Sequence, residues 1–506
     1  MGLFGTGVGR LCAVVAAPSA REMAVQLRLA LRETPTVELR LDWLSSDLER
    51  RRFLNWLRRN RPRRAVLLAT CRRRTGGGLL AGSVQAELDW LAQAAQAGCS
   101  WCDLEIETSR ELPPNSLRRH SLPPRILLSI HDFRRMPALK PALGTRWLRE
   151  VNAIKVAGMA RTIADSTRLL RFAADSPNCV AVPMGEVALP ARVLALREGS
   201  ALAYAPVSAA TAPGQVSLHE MKHLYRAHEL NRQTQVFGVI GNPVAHSLSP
   251  LLHNTAFSKL RINAVYLPFF VKALRDFLKA GPDFGLRGFS VTLPHKQTIL
   301  RHLQDCDALS ADIGAVNTVS VRRDGSLYGC NTDNVGVLRA LEKKLSLPKS
   351  RVLILGAGGS ARAAAFALAR AGSAVSICAR RNSAAQELSR AAGAEVIPRR
   401  ALKTERFDAI LNATPVGMYP QTGISPLQPS ELHCRIVMDL IYRPERTQLL
   451  KLAARNGIAT VSGAEMFLAQ GIVQWELWMK RRAPEKLMRK AVLSALRQEE
   501  RRRSAP

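Results

Sequence analysis

Two patterns of apolar and polar positions alternate through the first 220 residues. Short apolar runs, typical of buried strands, alternate with stretches such as "SVQAELDWLAQAAQAG", where apolar residues recur every three or four positions as on one helix face. The strand-like runs are "LCAVVAAPS", "TVELRLDWL", "AVLLATCR", "WCDLEIE", "RILLSIHDF", "AIKVAGM", "NCVAVPMG" and "ALAYAPVS". Eight strands alternating with helices predict an α/β fold, and over this length a (β/α)₈ barrel.

A new unit is predicted after a polar connector. The run "VFGVIGNP" predicts a strand, and a mixed α/β region follows. Then "RVLILGAGGSARAAAFALARAGSAVSICARR" predicts a strand, a glycine turn, a helix and a second strand, the start of a Rossmann nucleotide-binding unit. We therefore divide the chain into a barrel at 1–225, a linker at 226–235, a first lobe at 236–345, a Rossmann lobe at 346–462, C-terminal helices returning to the first lobe at 463–495, and a solvated basic tail at 496–506.

Polar residues follow the predicted barrel strands. In a (β/α)₈ barrel the carboxyl ends of the strands form one rim, and polar side chains there point into the active site. Polar residues on or just after several predicted strands would lie at this rim: Glu38, Arg40, Asp42, Arg72, Glu105, His131 and Lys155.

Lys155 is unusual because it lies inside the apolar stretch "VNAIKVAGMA". The first 139 residues contain no lysine, and Lys140 and Lys155 are the only lysines up to position 221. Nearly all basic residues of this part of the chain are therefore arginines. A desolvated lysine can lose its proton and become a nucleophile, which arginine cannot. The alternative is a lysine at a strand end whose ammonium reaches water.

Composition and charge exclude several classes of protein. Hydrophobic residues make up 47% and charged residues 22%, as in globular proteins, and no apolar run reaches the ~18 residues of a membrane span. The net charge of +33 invites a nucleic-acid hypothesis, but the arginines fall mostly on polar helix faces and aromatics are only 5%. Nine scattered cysteines without zinc-finger spacing predict reduced thiols, a cytoplasmic protein and no metal site.

Two arginines indicate which nucleotide the Rossmann lobe binds. After its second strand, where an NAD enzyme places a carboxylate, stand Arg380 and Arg381. This arrangement favours a 2′-phosphate and therefore NADP over NAD. The alternative is that both belong to the general excess of arginine.

The first half resembles type I 3-dehydroquinate dehydratase. The residues that carry the resemblance are "ELRLD" (38–42), "SIHDF" (129–133), "IKVA" (154–157), "MGEVALPAR" (184–192) and "APGQ" (212–215), in the family's order. The second half resembles shikimate dehydrogenase through "GNPVAHSLSP", "SVTLPHK", "GAVNTV", "NTD", "GAGGSAR", "NATPVGM", "DLIY" and "AEMFLAQ". Because the two reactions are consecutive, the whole resembles the bifunctional fusion of these two enzymes, acting on 3-dehydroquinate and 3-dehydroshikimate.

The first resemblance implies roles for barrel residues. Lys155 would form a Schiff base with the substrate ketone, and His131 would be the general base and acid. The residues matching substrate-holding positions are Glu38, Arg40, Arg72, Arg192, Thr211 and Gln215.

Three barrel residues depart from the family pattern. Gly76 stands where a glutamate usually supports the histidine, and Ala191 and Thr211 replace serines. These departures suggest either a slower dehydratase or a different carboxylate, such as Glu105, orienting His131.

The second resemblance implies that Lys296 and Asp333 are the catalytic pair of an NADPH-dependent reduction. The residues matching positions for the shikimate carboxylate and hydroxyls are Ser247, Ser249, Thr292, Asn317, Tyr442 and Gln470. Those expected at the cofactor are Gly356, Ala357, Gly358, Gly359, Ser360, Arg380, Arg381, Leu440 and Gly463.

Two other hypotheses remain open at this point. In one, only the dehydrogenase is active and the barrel is a scaffold, as Gly76 and Ala191 would suggest. In the other, the chain is a basic nucleic-acid-binding protein built on an enzyme fold, whose binding would be strongly salt-dependent.

Overall fold

A computed structural model describes residues 4, 7–113, 116–138, 150–176, 178–207 and 215–504. Thr211 lies outside these ranges. The chain divides into two compact units, and each is described by itself. Unit 1 comprises Met1–Thr234 with Arg275–Phe284, and unit 2 comprises Gln235–Leu274 with Gly285–Pro506.

Unit 1 contains an eight-stranded parallel sheet in the order β7-β6-β5-β4-β3-β2-β1-β8, which confirms the predicted barrel. Strand β1 pairs with β8, and Ala201 N donates to Cys179 O at 2.7 Å beside the start of β8, so the sheet nearly closes on itself. The strands are β1 Leu11–Val15, β2 Thr36–Arg40, β3 Val66–Thr70, β4 Trp101–Glu105, β5 Arg125–Asp132, β6 Ala153–Met159, β7 Cys179–Met184 and β8 Ala203–Pro206.

Helices surround these strands, and several begin at a side-chain cap. Ser19, Ser46, Ser83 and Thr162 each accept a hydrogen bond from a backbone N–H of the first turn, which satisfies a donor that the helix leaves unpaired. The described α-helices of the barrel are α1 Ala20–Glu33, α2 Asp47–Arg59, α3 Val84–Gln96, α4 Ile106–Arg110, α5 Ile163–Asp175 and α6 Leu189–Leu194, with a π-helical turn at Glu220–Leu224 and 3₁₀ turns at Gly7–Arg10, Leu41–Trp43, Arg74–Gly76, Leu117–Arg119 and Glu186–Ala188.

The barrel interior is apolar at the amino ends of the strands. Trp101, at the start of β4, is fully buried, and Phe4 stacks on it with ring centroids 4.3 Å apart. Cys12, Leu68 and Leu127 belong to the same buried cluster. This packing closes one end of the barrel and leaves the carboxyl ends of the strands for polar side chains.

The first lobe of unit 2 is a mixed sheet in the order β10-β9-β11-β13-β14-β12. Its strands are β9 Gln235–Gly241, β10 Ala264–Phe270, β11 Leu286–Val291, β12 Asp305–Cys306, β13 Thr318–Val321 and β14 Leu327–Cys330. The helices along this stretch of the chain are α7 Ser249–Lys259, α8 Leu274–Ala280, α9 Ala308–Ile313 and α10 Asp333–Leu341, with 3₁₀ turns at Gly281–Phe284 and Thr298–His302.

The second lobe is a parallel sheet in the order β17-β16-β15-β18-β19-β20, the strand order of a Rossmann fold. Its strands are β15 Arg351–Leu355, β16 Ala374–Cys378, β17 Glu395–Val396, β18 Phe407–Asn412, β19 Cys434–Asp439 and β20 Ala459–Val461. The helices are α11 Gly359–Arg370, α12 Asn382–Ala392, α13 Gln448–Arg455, α14 Gly463–Met479 and α15 Glu485–Ser504, with 3₁₀ turns at Arg399–Lys403 and Pro429–Glu431. No helix in the described ranges is long and apolar enough to cross a membrane.

The C-terminal residues differ from the prediction of a solvated tail at 496–506. Helix α15 continues to Ser504, and Leu496 is 1% exposed. Met488, Val492 and Leu496, spaced four residues apart, form one helix face that packs into the core of the first lobe. The basic residues therefore lie on a packed helix, because its opposite face buries apolar side chains.

Candidate active sites

Lys155 lies in the middle of β6 with its side chain only 4% exposed, so the hypothesis that its ammonium reaches water is wrong. Its Nζ donates a hydrogen bond to Asp103 on β4, lies 3.8 Å from Glu38 Oε1 on β2, and is 4.8 Å from the centre of the Tyr204 ring. Three strands thus converge on one buried amine.

A chain of ion pairs connects Lys155 with His131. Arg72 Nη2 lies 3.3 Å from the Asp103 carboxylate, and Arg72 Nε lies 2.6 Å from Glu105 Oε1. The other oxygen of Glu105 is 2.9 Å from His131 Nδ1. The histidine and the lysine lie on neighbouring strands, β5 and β6. The Arg72 guanidinium contacts the carboxylate partners of both, Asp103 for Lys155 and Glu105 for His131.

Burial and charge determine the protonation of this cluster. Burial alone would raise the pKa of Asp103, but the Lys155 and Arg72 cations lower it below its ordinary value. Burial raises the pKa of Glu105 to about 8, although Arg72 opposes this. Burial, together with the Arg72 and Lys155 cations, lowers the pKa of His131 well below its usual range. The histidine is therefore held neutral, as a base must be.

The other predicted barrel residues have different partners. Arg40 makes a bidentate ion pair with Asp42, at 3.0 and 2.8 Å, and Glu38 accepts from Thr70 Oγ1 at 2.8 Å. Arg192 has no carboxylate partner among the described residues, and burial lowers its pKa to about 10. A partly buried guanidinium without a counter-ion favours an anionic ligand. Gln215 is partly buried at the start of a described segment.

Asp103 was missed by the sequence reasoning. It is fully buried, pairs with Lys155 and Arg72, and accepts a hydrogen bond from Ser129 Oγ. A signal was present, because Asp103 and Glu105 alternate within the strand run "WCDLEIE" and so share one face. Only Glu105, at the strand end, was singled out.

The second site is built around Lys296 and Asp333. Lys296 Nζ donates to Asp333 Oδ2 at 2.6 Å and to Ser360 Oγ at 2.9 Å. Asn317 Nδ2 donates to the other oxygen, Asp333 Oδ1, at 2.7 Å and lies 3.5 Å from Gln470 Oε1. Asp333 is thereby fixed by two donors, and the lysine is held between the two lobes.

The remaining polar residues predicted at the substrate lie after β11, at the start of α7 and after β19. Thr292 follows β11 and its N–H donates to Ile240 O at 2.9 Å. Ser247 Oγ accepts from Ser249 N at 3.2 Å, and burial raises the pKa of Tyr442 while a hydrogen bond with Ser247 opposes the shift. The ring of Tyr442 stacks on Phe467, with centroids 4.5 Å apart. These hydroxyl groups suit a small polyhydroxy acid.

The glycine turn between β15 and α11 fits a dinucleotide. Gly356 has φ +109°, and a Cβ there would lie 3.2 Å from Ala413 O, so glycine is required. A Cβ at Gly358 would meet no atom within 4 Å, which leaves open space before the turn. No side chain caps the start of α11 in the described chain, so its N–H donors are available to a phosphate. Ala357, within the turn, is partly buried.

The outer residues predicted at the cofactor lie near strand ends of the Rossmann sheet. Arg380 and Arg381 are exposed just after β16, and neither has an ion-pair partner among the residues described. Leu440 follows β19, and a Cβ at Gly463 would lie 2.6 Å from the Leu440 carbonyl oxygen. Ser360, predicted at the pyrophosphate, instead has its hydroxyl group at Lys296.

Family models match both units. Residues 11–232 match type I 3-dehydroquinase, residues 239–319 the shikimate dehydrogenase substrate binding domain, and residues 463–493 the shikimate 5'-dehydrogenase C-terminal domain.

One related protein combines both activities, and others match about half of the chain. The chain is 32% identical over 503 residues to the chloroplastic bifunctional 3-dehydroquinate dehydratase/shikimate dehydrogenase of Arabidopsis thaliana, covering 94% of this chain and 83% of that protein. It is 38% identical over 279 residues to shikimate dehydrogenase (NADP(+)) of Methanococcus maripaludis, covering 53% of this chain and all of that protein. A crystal structure of the Thermus thermophilus shikimate dehydrogenase with NADP(H) and shikimate is 34% identical, with a TM-score of 0.48, covering 52% of this chain and 100% of that chain.

Proposed function

The chain belongs to the family of bifunctional 3-dehydroquinate dehydratase/shikimate dehydrogenases, and we propose that its two polar sites carry the two reactions, one in each unit. The enzyme dehydrates 3-dehydroquinate to 3-dehydroshikimate and reduces this product to shikimate with NADPH. The observation that supports two working sites is that each holds a lysine against a carboxylate, Lys155 with Asp103 and Lys296 with Asp333. We take residues 1–225 as the dehydratase domain and 236–495 as the dehydrogenase.

In the barrel, Lys155 is the nucleophile. Its neutral amine adds to the substrate ketone and water is lost, which forms an iminium that acidifies the adjacent C–H. His131 removes this proton through Nε2 and later protonates the leaving hydroxyl, which departs as water. Hydrolysis of the iminium then restores the lysine. Arg192, which has no carboxylate partner among the described residues, binds the substrate carboxylate, and Arg40 helps to orient the ring.

Glu105 is a positioning residue for His131 in this mechanism. Its carboxylate at 2.9 Å holds Nδ1, so that Nε2 faces the substrate. A Cβ at Gly76 would lie 3.1 Å from Glu105 Cγ, so Glu105 fills the space next to the position where the family usually carries its glutamate. This contact supports an active dehydratase over a barrel that is only a scaffold.

In unit 2, Lys296 and Asp333 manage the proton of the forming hydroxyl group. When bound, NADPH supplies the hydride that reduces the ketone carbon. Lys296 donates to the substrate oxygen as charge develops there, and Asp333 holds the ammonium in place. Ser247, Ser249 and Tyr442 bind the carboxylate, while Thr292, Asn317 and Gln470 bind ring hydroxyls.

The Rossmann residues fit NADP. The uncapped start of α11 and the turn at Gly358 would hold the pyrophosphate, and Arg380 and Arg381 would bind the 2′-phosphate. Leu440 and Gly463 would lie beside the nicotinamide.

A coupled assay tests the proposal. With 3-dehydroquinate alone, the enone absorbance of 3-dehydroshikimate should appear, and after NADPH is added it should disappear with matching NADPH oxidation. If enone never forms while added 3-dehydroshikimate is still reduced, the barrel is a scaffold and the dehydratase assignment is wrong.

We also propose a cytoplasmic location and no specific nucleic-acid partner. The nine cysteines all lie as free thiols, five of them buried, which suits a reducing compartment. Fractionation of cells that express the chain, and binding to random nucleic acid at increasing salt, test these two statements.

A further inference from the structure

A cluster of metal-binding side chains lies outside both catalytic sites. Glu33, at the end of α1, faces His219 and His223 on the segment that follows β8, and one potential ligand atom from each lies within 4.8 Å of the others. Glu33 Oε2 is 3.0 Å from His223 Nε2, and the two imidazole centroids are 4.6 Å apart. Both histidines are exposed and the glutamate is partly buried, so an ion can reach them from solvent.

The chemistry of these ligands selects a class of ion. Two neutral imidazoles and one carboxylate form a three-ligand set typical of zinc, while calcium and magnesium prefer oxygen ligands alone. Around tetrahedral zinc, neighbouring ligand atoms lie about 3.3–3.5 Å apart. In the cluster, one ligand atom from each residue lies within 4.8 Å of the others, and Glu33 Oε2 and His223 Nε2 are 3.0 Å apart.

The position of the cluster suggests what a bound ion would do. Helix α1 belongs to the first β/α unit and the histidines follow the last strand, and β1 and β8 pair at the closure of the barrel. We propose that Glu33, His219 and His223 bind one divalent transition-metal ion, represented by Zn²⁺, which cross-links the first and last units of the barrel. Because Glu33 lies before the amino end of β2, the site is at the opposite end from the catalytic rim.

Lys222 gives the proposal a sharp test. Its Nζ lies 3.1 Å from Glu33 Oε2, the oxygen that the ion would need, and donates to the Glu33 carbonyl at 2.7 Å. The ammonium therefore competes with the metal for the carboxylate. The Lys222→Met variant should bind zinc at least as tightly as the parent chain. If the cluster were only a set of ion pairs with no metal role, this substitution would not increase zinc affinity.

Calorimetric titration of the full chain with ZnCl₂ should show one ion bound per chain with a dissociation constant in the micromolar range. His219→Ala combined with His223→Ala should weaken binding at least tenfold, as should Glu33→Gln alone, while His302→Ala, an exposed histidine in unit 2, should leave it unchanged. MgCl₂ should produce no binding isotherm.

Thermal melting distinguishes stabilisation by bound zinc from the stability of the metal-free fold. Saturating zinc should raise the melting temperature of the parent chain by about 3–8 °C and leave that of the double histidine variant unchanged. Both proteins should melt at similar temperatures without metal, because the substituted side chains are exposed. Absence of a zinc isotherm at millimolar zinc, or equal binding by the double variant, would overturn the proposal.

Discussion

The two lysines that we propose as catalytic lie in different surroundings. Lys155 has a side chain 4% exposed, enclosed by carboxylates and an aromatic ring from neighbouring strands, whereas Lys296 is 15% exposed and bridges two lobes. The more buried lysine, held by Asp103 and Glu38, is the one we propose as the nucleophile. The less buried lysine, held by Asp333 and Ser360, is the one we propose as the proton donor.

The supporting carboxylates differ in the same way. Asp103 belongs to a continuous set of ion pairs that reaches His131, so nucleophile and base are electrostatically linked. Asp333 accepts hydrogen bonds from Lys296 and from the neutral amide of Asn317. The lysine of the barrel is therefore part of a network of ion pairs, whereas that of unit 2 pairs with one carboxylate among the described residues.

The largest effect should come from replacing the buried lysine. Lys155→Arg keeps the charge but cannot form a Schiff base, so dehydration should fall by about 10⁴-fold or more while reduction of added 3-dehydroshikimate is unchanged. Borohydride with 3-dehydroquinate should trap an adduct on Lys155 in the parent chain, located by mass spectrometry. An adduct on a different lysine would contradict the assignment.

Replacing the less buried lysine should give the converse result. Lys296→Met should lower kcat for reduction by about 10²–10⁴-fold, because the proton donor is lost, and should leave dehydration unaffected. The two half-reactions are measured separately by NADPH oxidation and enone absorbance. Loss of both activities in a folded variant would show that the sites are not independent.

The third prediction concerns the carboxylate that supports His131. Glu105→Ala should lower kcat for dehydration by about 10–100-fold. Adding Gly76→Glu in that background should restore part of the rate, because the new side chain enters the volume that Glu105 has left. Gly76→Glu alone should not help, since its Cβ lies 3.1 Å from Glu105 Cγ.

The pH dependence of dehydration shows whether Glu105 positions His131 or only fills space. Burial raises the pKa of Glu105 to about 8, so below this pH the pair with His131 holds an extra proton and His131 is not free to act as a base. kcat/KM for dehydration should therefore rise with pH up to about 8 in the parent chain. In Glu105→Ala this limb should disappear, because burial keeps the pKa of His131 low. An unchanged profile would mean that Glu105 only fills space.

The fourth prediction tests the cofactor. Replacing Arg380 and Arg381 with alanine should raise KM for NADPH by about 10–100-fold and leave KM for NADH little changed, because only NADPH carries the 2′-phosphate. The difference should shrink at high salt, since both arginines are exposed. Equal effects on the two cofactors would assign these arginines to the general excess of positive charge.

The smallest effect is expected at Ser360. If the hydroxyl group of Ser360 orients Lys296 through its hydrogen bond, Ser360→Ala should lower kcat for reduction by about 3–10-fold and leave KM for NADPH unchanged. If Ser360 binds the pyrophosphate, Ser360→Ala should instead raise KM for NADPH. Comparing the change in kcat with the change in KM therefore distinguishes the contact with Lys296 from the role predicted from the sequence.

The sequence alone determined most elements and singled out Lys155 as a candidate. Short apolar runs alternating with stretches of helical period predicted the barrel, and the glycine turn after β15 predicted the Rossmann lobe, because these signals depend on local backbone geometry. Lys155 stood out because it was a lone lysine in an apolar strand. In the C-terminal segment, Met488 and Val492 lie in the region predicted as helices, and Leu496 continues the same packed face into the residues predicted as a tail.

Only the tertiary structure decided how these residues pair. Asp103, Arg72 and Glu105 come from two adjacent strands, and they connect Lys155 with His131 only because the barrel curves their side chains toward one axis. Ser360 meets Lys296 because the glycine turn of one lobe approaches the other lobe, where a Cβ at Gly359 would lie 3.1 Å from Lys296 Cβ. Such contacts join residues from different elements, and local sequence patterns carry no information about the distance between them.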